Sequence, residues 1–143
     1  MATDRRAEVT WNGSLMEGSG TITSTTSGAI GTQPVSWPNR AEDAPSATSP
    51  EELIAAAHAA CFSMALSHGL AQAGNPPDEL KTSATVTFQP GQGIVRIALT
   101  VVGAVPGLDA AGFEAAAEGA KANCPVSKAL AGVPEITLDA SLA

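Results

Sequence analysis

The stretch SPEELIAAAHAACFSMALSHGL, residues 49–70, decides the fold because it predicts one long apolar helix. Ser49 suits the N-cap and is followed three residues later by a glutamate, so the two side chains can satisfy free N–H groups as a capping box. Pro50 suits the first helical position, where its missing N–H costs nothing. We expect the helix to run from Pro50 to about Ala73, because Gly74 and the residues after it end a helix.

Apolar residues cover nearly the whole circumference of this helix over residues 53–66. A helix that is apolar all round must be enclosed on most sides, whereas one small antiparallel sheet covers only one of them. A second copy of the chain is the natural cover for the other side, so the helix predicts a homodimer. The apolar run is expected to be too short and too interrupted to span a bilayer.

Alternating polar and apolar segments on both sides of the helix predict strands, and two Ala-rich or Pro-initiated segments predict further helices. Strands are predicted at residues 5–11, 19–27, 80–89, 93–105 and 134–142, and helices at residues 109–122 and 125–132. Residues 28–49, rich in Pro, Ser, Thr, Asn and Gly, predict a long connection with one short strand at most. This order is typical of an α+β fold with mostly antiparallel pairing, in one domain over residues 1–143.

Charge and composition exclude several classes of partner. The chain has 7 Lys and Arg residues against 14 Asp and Glu residues, a net charge of -7 at pH 7, with no cluster of basic side chains. Nucleic acids and anionic membranes need a basic surface, so neither is expected as a partner. Residues 1–10 hold no apolar run typical of a signal peptide, and we therefore expect a cytoplasmic protein.

The two cysteines, Cys61 and Cys124, are the leading candidates for chemistry. A buried cysteine is usually inert packing, and two are too few for a disulfide scaffold. Cys124, however, stands just before Pro125 at the predicted start of a short helix, where N–H groups favour a thiolate. With neither cysteine used elsewhere, a redox pair is a hypothesis worth testing.

Two histidines lie on the same helix as Cys61. His58 is three residues before Cys61, about 60 degrees away around the helix and within side-chain reach. It is either a base toward the thiol, part of a metal site, or a core histidine bonded to a neighbouring group. His68 is expected to be exposed or partly buried. A metal site made of these residues and Cys124 has no CxxC or HxxxH spacing to support it.

Arg40 and Glu51 are charged residues with two interpretations each. Arg40, in the long connection, is by itself most simply a solvated arginine. Glu51 is ten residues before Cys61, about 15 Å along the helix axis, so these two cannot touch within one helix. Glu51 either complements the helix dipole or reaches the thiol through an intermediary such as Arg40, or across a dimer interface. A non-catalytic homodimer that carries small lipophilic ligands in an apolar pocket is the alternative to any catalytic interpretation.

Four segments together resemble the OsmC branch of the OsmC/Ohr family of thiol peroxidases. The resemblance extends nearly from end to end, with the PEEL-to-HAACF block and the CPVS block in the family's order and separation. The segments are SPEELIAAAHAACFSMALSHGL, VPGLDAAGFE, KANCPVSKAL and EITLDASL.

This resemblance implies an OsmC-like α+β fold, with mostly antiparallel sheets wrapped around a buried central helix in an intertwined homodimer. It also implies a metal-free and cofactor-free peroxidase of oxidative or osmotic stress defence, which reduces organic hydroperoxides to alcohols. By the same resemblance, Cys61 is the peroxidatic cysteine that becomes a sulfenic acid, and Cys124 is the resolving cysteine that forms a disulfide with it. Arg40 stabilises the thiolate, and Glu51 orients Arg40. An external dithiol, of which a protein-bound lipoyl group is one form, reopens the disulfide.

Overall fold

The computed structural model describes residues 1–42 and 46–143, which form two compact units, Met1–Pro50 and Glu51–Ala143. Each unit has a three-stranded sheet, and the helix that opens the second unit begins at Pro50. The expected single domain over residues 1–143 stays a prediction. The elements in chain order are β1 Ala7–Asn12, β2 Ser19–Thr25, β3 Gln33–Val35, α1 Trp37–Ala41, α2 Pro50–Gln72, β4 Glu79–Gln89, β5 Gly93–Ala104, α3 Ala110–Asn123, α4 Pro125–Ala129 and β6 Glu135–Leu142.

The first unit is an antiparallel sheet in the order β1-β2-β3 followed by a short helix. The two predicted N-terminal strands are confirmed, and Gly13 takes a positive φ of 89° just after β1. The expectation that residues 28–49 hold at most one short strand missed α1. Ser36 caps this helix, since its hydroxyl accepts a hydrogen bond from the N–H of Asn39, and Pro38 lies in its first turn.

The second unit packs its helices against the sheet β4-β5-β6. β4 and β5 form an antiparallel hairpin, and Gly91 takes the positive φ of 82° that the predicted turn needs. β6 pairs with β5 in parallel, because α3 and α4 lie between them and form the crossover that a parallel pair requires. The α+β class is therefore confirmed, with one parallel pair beside three antiparallel ones.

The core of the second unit lies between α2, α3 and the inward face of β5. Alternate residues of β5 are fully or almost fully buried, and Phe113 of α3 is fully buried. Its ring lies so close to Gly103 of β5 that a Cβ there would meet the ring at 2.5 Å, so only glycine fits. The core residues are Phe62, Leu66, Leu70, Ile97, Leu99, Val101, Val105, Phe113, Ala117, Ala120 and Cys124.

The helix α2 has the predicted bounds, ending at Gln72 with a glycine cap. The N–H of Gly74 donates to the carbonyl of Ala71 and the N–H of Asn75 donates to the carbonyl of Leu70, a Schellman motif with Gly74 in the left-handed region. By length and composition alone the whole helix Pro50–Gln72 could cross a membrane, a test that a core helix also passes. It nevertheless packs a stripe of large residues into the core.

The enclosure expected for α2 is only partly provided by one chain. Its buried residues form a stripe along one side, which includes Phe62 and Leu66. On the other side Met64 is 71% exposed. One chain therefore leaves an apolar face of its central helix in contact with water.

Candidate functional site

Cys61 lies in the middle of α2, beside the buried stripe rather than within it. It is partly buried and packs against the core, whereas its neighbour Phe62 is fully buried. The helical repeat that places Phe62 inward turns the thiol about 100 degrees away, toward the edge of the core. A small molecule can therefore approach this sulfur more easily than a core side chain.

Cys124 lies at the junction between α3 and α4, and it is fully buried. The residue before a proline is disfavoured in the helical region, and Cys124 accordingly takes φ -56° and ψ 125° before Pro125. Its N–H donates to the carbonyl of Ala120 to close α3, and its carbonyl accepts the N–H of Lys128 in the first turn of α4. Pro125 thus separates α3 from α4 at Cys124, and the Cys124 side chain packs in the core.

The structure brings these two cysteines together, although 63 positions separate them in the sequence. The two Sγ atoms lie 3.0 Å apart, and both thiols are free. This separation is only about 1 Å longer than a disulfide bond, so a small side-chain rotation suffices to join them. The hypothesis that Cys61 and Cys124 form a pair is supported by this distance.

The two sulfurs differ in how readily they ionise. Burial raises the pKa of the Cys61 thiol, the hydrogen bond with Cys124 raises it further, and the N–H of Val126 offsets only part of this rise. Burial also acts to raise the pKa of Cys124, but hydrogen bonding by Cys61, Ser127 and Val126 together outweighs it and lowers the pKa. Within this unit, polar groups of α4 therefore favour the thiolate form of Cys124 more than that of Cys61.

His58 is bonded to a residue that the sequence patterns do not single out. Its Nε2 lies 2.7 Å from the Oγ of Ser127, and both side chains are buried. Burial lowers the pKa of His58, so the imidazole is neutral at pH 7. Of the three interpretations left open for His58, the structure supports a core histidine bonded to a neighbouring side chain. That neighbour also borders Cys124.

Arg40 lies in the last turn of α1, in the first unit. It forms part of the wall of a pocket of about 190 Å³, most of whose lining is apolar. The lining residues are Trp11, Leu15, Val35, Ser36, Trp37, Arg40 and Pro50. This places a guanidinium beside an apolar cavity, which is a suitable arrangement for a ligand with a polar head and an apolar tail.

Glu51 and His68 occupy the two ends of α2. Glu51 lies in the first turn and is 6% exposed, although acidic residues at this position are usually solvated. His68 is exposed, as expected, and lines a surface pocket with Met64 and Leu80. Arg40 belongs to the first unit, whereas Glu51 and Cys61 belong to the second. The roles predicted for Arg40 and Glu51 at the thiol therefore stay predictions.

Ser127 also borders a second, open pocket of about 310 Å³ on the second unit. Its lining includes two basic residues, Lys121 and Lys128, and one acidic residue, Glu118. Over residues 1–42 and 46–143, no group of three or more His, Cys, Asp and Glu side chains is placed to hold a metal ion. The proposed metal site of His58, His68 and the two cysteines is therefore not assembled in this part of the chain.

The fold and the site define an α+β protein with two free, neighbouring thiols, and comparisons with known proteins identify its family. Residues 42–139 match the OsmC-like protein family. The chain is 45% identical over 145 residues to "Peroxiredoxin OsmC" of Escherichia coli, with 99% of each chain covered, and equally so to that of Shigella flexneri. The chain belongs to the OsmC family, and it is a peroxidase.

A solved structure of the same fold agrees with this membership. The organic hydroperoxide resistance protein OhrB of Bacillus subtilis is 28% identical to the chain, with a TM-score of 0.65 and coverage of 96% of this chain and 98% of that one. The OsmC-like fold expected from the sequence is therefore confirmed.

Ser127 is the site residue that sequence reasoning missed. It is the third residue after Cys124, and the third helical position is where a side chain can reach back to the N-cap residue. The sequence KANCPVSKAL therefore contained a local signal for Ser127. The contact with His58 carries no such signal, because 69 positions separate the two residues.

Proposed function

We propose that the chain reduces organic hydroperoxides to alcohols, through a sulfenic acid on Cys61 and a disulfide between Cys61 and Cys124. The observation that carries this proposal is the 3.0 Å separation of two free sulfurs in a protein of the OsmC family. Packing alone does not require two thiols to face each other at this distance. A resolving cysteine at this distance can attack the oxidised sulfur without a large movement of the backbone.

The reaction balances without any cofactor. The Cys61 thiolate attacks one peroxide oxygen, the O–O bond breaks, and an alkoxide leaves and takes up a proton to become the alcohol. The Cys124 sulfur then attacks Cys61, the S–S bond forms, and the S–O bond breaks to release hydroxide, which becomes water with the proton of the Cys124 thiol. An external dithiol reduces the disulfide by exchange and is itself oxidised.

Access favours Cys61 as the first nucleophile, since it is partly exposed while Cys124 is fully buried. Ionisation within the second unit favours Cys124, because burial raises the pKa of Cys61. A peroxidatic Cys61 therefore needs a cation from outside its own unit, and we assign this role to Arg40. A guanidinium stays charged beside apolar walls and lowers the pKa of a nearby thiol.

We assign to Glu51 the role of holding that guanidinium. A buried carboxylate is stable only when it is paired or well hydrogen-bonded, so a 6% exposed glutamate needs a donor of this kind. A carboxylate that grips the fork of an arginine also fixes its orientation. The apolar pocket beside Arg40 then suits the alkyl part of the peroxide, in preference to hydrogen peroxide.

The reductant is a dithiol that must reach a partly buried disulfide. A protein-bound lipoyl group, carried on a long flexible arm, is the form of dithiol that we propose. We further propose that the protein acts in the cytoplasm, in defence against oxidative and osmotic stress. Its net charge of -7 and its free thiols are compatible with that compartment.

The experiment that tests the peroxidase mechanism treats the reduced protein with one equivalent of cumene hydroperoxide and follows intact mass and free thiols. We expect the loss of two hydrogens and of both thiols, with release of the alcohol. Matched samples of Cys61→Ser should lose neither thiol nor peroxide. An unchanged mass in the wild-type protein while the peroxide persists would contradict the redox cycle.

A carrier of small lipophilic ligands is the second candidate, because the pocket of the first unit is largely apolar. The same experiment separates the two functions. Full hydroperoxide turnover by Cys61→Ser would contradict the Cys61 mechanism, and tight binding of an alkyl ligand without any thiol oxidation would favour the carrier.

We also propose a homodimer, in which a second copy covers the exposed apolar face of α2 around Met64. Sedimentation should give about twice the monomer mass of 14.2 kDa. Met64→Glu places a charge on this face and should shift the protein to the monomer. The control Gln92→Glu, in the turn after β4, should leave the mass unchanged. A wild-type monomer would exclude the dimer.

A further inference from the structure

His58 is a buried titratable residue that the proposed cycle does not use. It is fully buried, three residues before Cys61, yet its Nε2 contacts Ser127 and not the sulfur. The other ring nitrogen, Nδ1, is buried with no hydrogen-bond partner among residues 1–42 and 46–143. If this position served only packing, an apolar side chain would be more stable there. Burying a polar side chain that lacks half of its hydrogen-bond partners is costly.

The buried Nδ1 indicates which tautomer His58 adopts. If Nε2 accepted a proton from Ser127, Nδ1 would carry a buried N–H without an acceptor, which is rare in proteins. If Nε2 carries the hydrogen, Nδ1 is only an unused acceptor, which costs less. The lowered pKa of His58 excludes the doubly protonated ring at pH 7. His58 therefore donates through Nε2–H to the Oγ of Ser127.

The hydrogen bond from His58 therefore leaves the hydroxyl of Ser127 available as a donor. Its oxygen accepts from His58, so its own proton is free to point elsewhere. Ser127 is the third residue of α4, whose N-cap is Cys124, and the third helical position reaches back to the N-cap. The Ser127 hydroxyl is one of the groups that favour the thiolate form of Cys124.

We propose that His58 and Ser127 are positioning residues for Cys124: the Nε2–H of His58 holds the Ser127 hydroxyl so that it donates to the Cys124 sulfur and prepares that sulfur to attack Cys61. This role rests on the proposed Cys61–Cys124 cycle. It extends the site to a chain of four buried or partly buried side chains, from imidazole to hydroxyl to the resolving sulfur to the peroxidatic sulfur. The link from imidazole to hydroxyl measures 2.7 Å, and the link between the two sulfurs measures 3.0 Å.

In this series of contacts the imidazole of His58 neither gains nor loses a proton. The Cys124 thiolate forms the S–S bond with Cys61, the S–O bond of the sulfenic acid breaks, and the hydroxide released takes up one proton to become water. The proton that left the Cys124 thiol balances the one taken up. Ser127 and His58 stabilise the charge on Cys124 before the attack, and they accelerate the second step of the cycle without acting on the peroxide.

The test uses the full-length protein with two substitutions that remove a donor, Ser127→Ala and His58→Leu. The conservative variant His58→Gln keeps an N–H donor near the position of Nε2 and should restore much of the lost rate. The control variant Ser63→Ala removes another hydroxyl of the second unit, one that bonds to the carbonyl of Ala59 and the Oγ1 of Thr82 and not to the sulfurs. Thermal melts confirm that each variant is folded.

The first measurement follows Cys124 alone, in a Cys61→Ser background, by its rate of alkylation with iodoacetamide between pH 6 and pH 9. A hydrogen bond to a charged group is worth enough to change a thiolate population about tenfold. We therefore expect alkylation at neutral pH to slow about tenfold in Ser127→Ala and in His58→Leu. His58→Gln and Ser63→Ala should stay within about twofold of the parent.

The second measurement separates the two steps of the cycle in proteins that keep both cysteines. After one equivalent of cumene hydroperoxide, dimedone captures any sulfenic acid that has not yet become a disulfide, and intact mass gives the captured fraction. Ser127→Ala and His58→Leu should consume peroxide at the parent rate and yield much more dimedone adduct. A purely structural role would slow both steps together.

The proposal is overturned if Cys124 alkylates equally fast in Ser127→Ala, or if peroxide consumption falls as much as disulfide formation. It is also overturned if His58→Gln behaves like His58→Leu. The alkylation measurement needs no peroxide turnover. A wild-type protein that forms no disulfide therefore contradicts the proposed peroxidase cycle, while slower alkylation in Ser127→Ala still supports the role of Ser127 and His58 at Cys124.

Discussion

The two cysteines of the site occupy contrasting positions, although their sulfurs are 3.0 Å apart. Cys61 lies in the middle of a long helix, partly exposed, where burial raises its pKa. Cys124 lies at a break between two helices, fully buried, where the net effect of its surroundings is a lowered pKa. Access and ionisation are thus divided between the two sulfurs. A peroxidatic cysteine needs both, and this is why we propose that Arg40 supplies charge to Cys61.

The largest expected effect is the difference between Cys61→Ser and Cys124→Ser. Removing a catalytic nucleophile should lower hydroperoxide consumption at least about 10³-fold, and we expect this for Cys61→Ser. Cys124→Ser should instead consume one equivalent of peroxide and stop at the sulfenic acid. Single-turnover peroxide consumption and intact mass, which detects one added oxygen, measure both outcomes. A sulfenic acid that accumulates on Cys124 in Cys61→Ser would reverse the two roles.

The next effect concerns the cation that Cys61 needs. Arg40→Ala should slow the first step about 10- to 100-fold, because the thiolate loses its counter-charge, while disulfide formation from a preformed sulfenic acid stays unchanged. The rate of the first step in Arg40→Lys should lie between the rates of Arg40→Ala and the wild-type protein, since lysine keeps the charge without the planar fork. The rate of peroxide consumption under single-turnover conditions measures this effect.

Arg96 provides the matched control for Arg40. It is an exposed arginine of β5 whose Nε lies 3.5 Å from the carboxylate of Glu135. Arg96→Ala should leave both steps of the cycle within about twofold, because an exposed ion pair contributes little. Equal rates in Arg40→Ala and the wild-type protein would remove Arg40 from the site.

The smallest effect is the order in which the two thiols ionise. In single-thiol variants, where serine replaces the other cysteine, Cys124 should be alkylated at lower pH than Cys61. Burial disfavours both thiolates, but hydrogen bonds from Ser127 and Val126 favour that of Cys124, while Val126 alone favours that of Cys61. Alkylation rates over a pH series give the two profiles. Ionisation of Cys61 at a lower pH than Cys124 would contradict the proposed division of access and ionisation between the two sulfurs.

The same shifts give opposite dependences of stability on pH. The lowered pKa of Cys124 means that its contribution to the free energy of unfolding is present above the unfolded pKa, near about pH 8.5, and is lost as pH falls through the folded pKa. The raised pKa of Cys61 gives a contribution that is present below the unfolded value and is lost as pH rises through the folded value. Because the polar groups of α4 remain beside Cys124, the free energy of unfolding should fall less with rising pH in Cys61→Ser than in Cys124→Ser, as denaturant unfolding measures.

Local sequence signals predicted much of the second unit. The capping residues of α2, the proline after Cys124 and the glycine turn after β4 act within a few positions, so element bounds followed from the sequence. Asp109 likewise caps α3, with its carboxylate accepting the N–H of Gly112 at 2.8 Å. The parallel pairing of β5 and β6 was not predicted, because it depends on how a crossover packs rather than on either strand.

The site was predicted less completely than the fold. The family resemblance identified both cysteines, and the structure places them together. The sequence pattern does not predict the helix around Arg40, because prolines usually end a helix, although Ser36 and Pro38 are a start signal. The contact of His58 with Ser127 joins residues far apart in the sequence, and no local pattern encodes it. The electrostatic difference between the sulfurs likewise depends on burial, which single positions do not reveal.

The junction at Cys124 also has a consequence for the chain as a polymer. Under the proposed cycle, each turnover closes and then reopens a covalent loop between residues 61 and 124. This loop contains the second half of α2, the β4–β5 hairpin and α3. Closing a loop of this length restricts the unfolded chain by about 4 kcal/mol in the chain-entropy description. The oxidised protein would then be harder to unfold than the reduced one. The reductant would restore, together with the two thiols, the conformational freedom of the unfolded state.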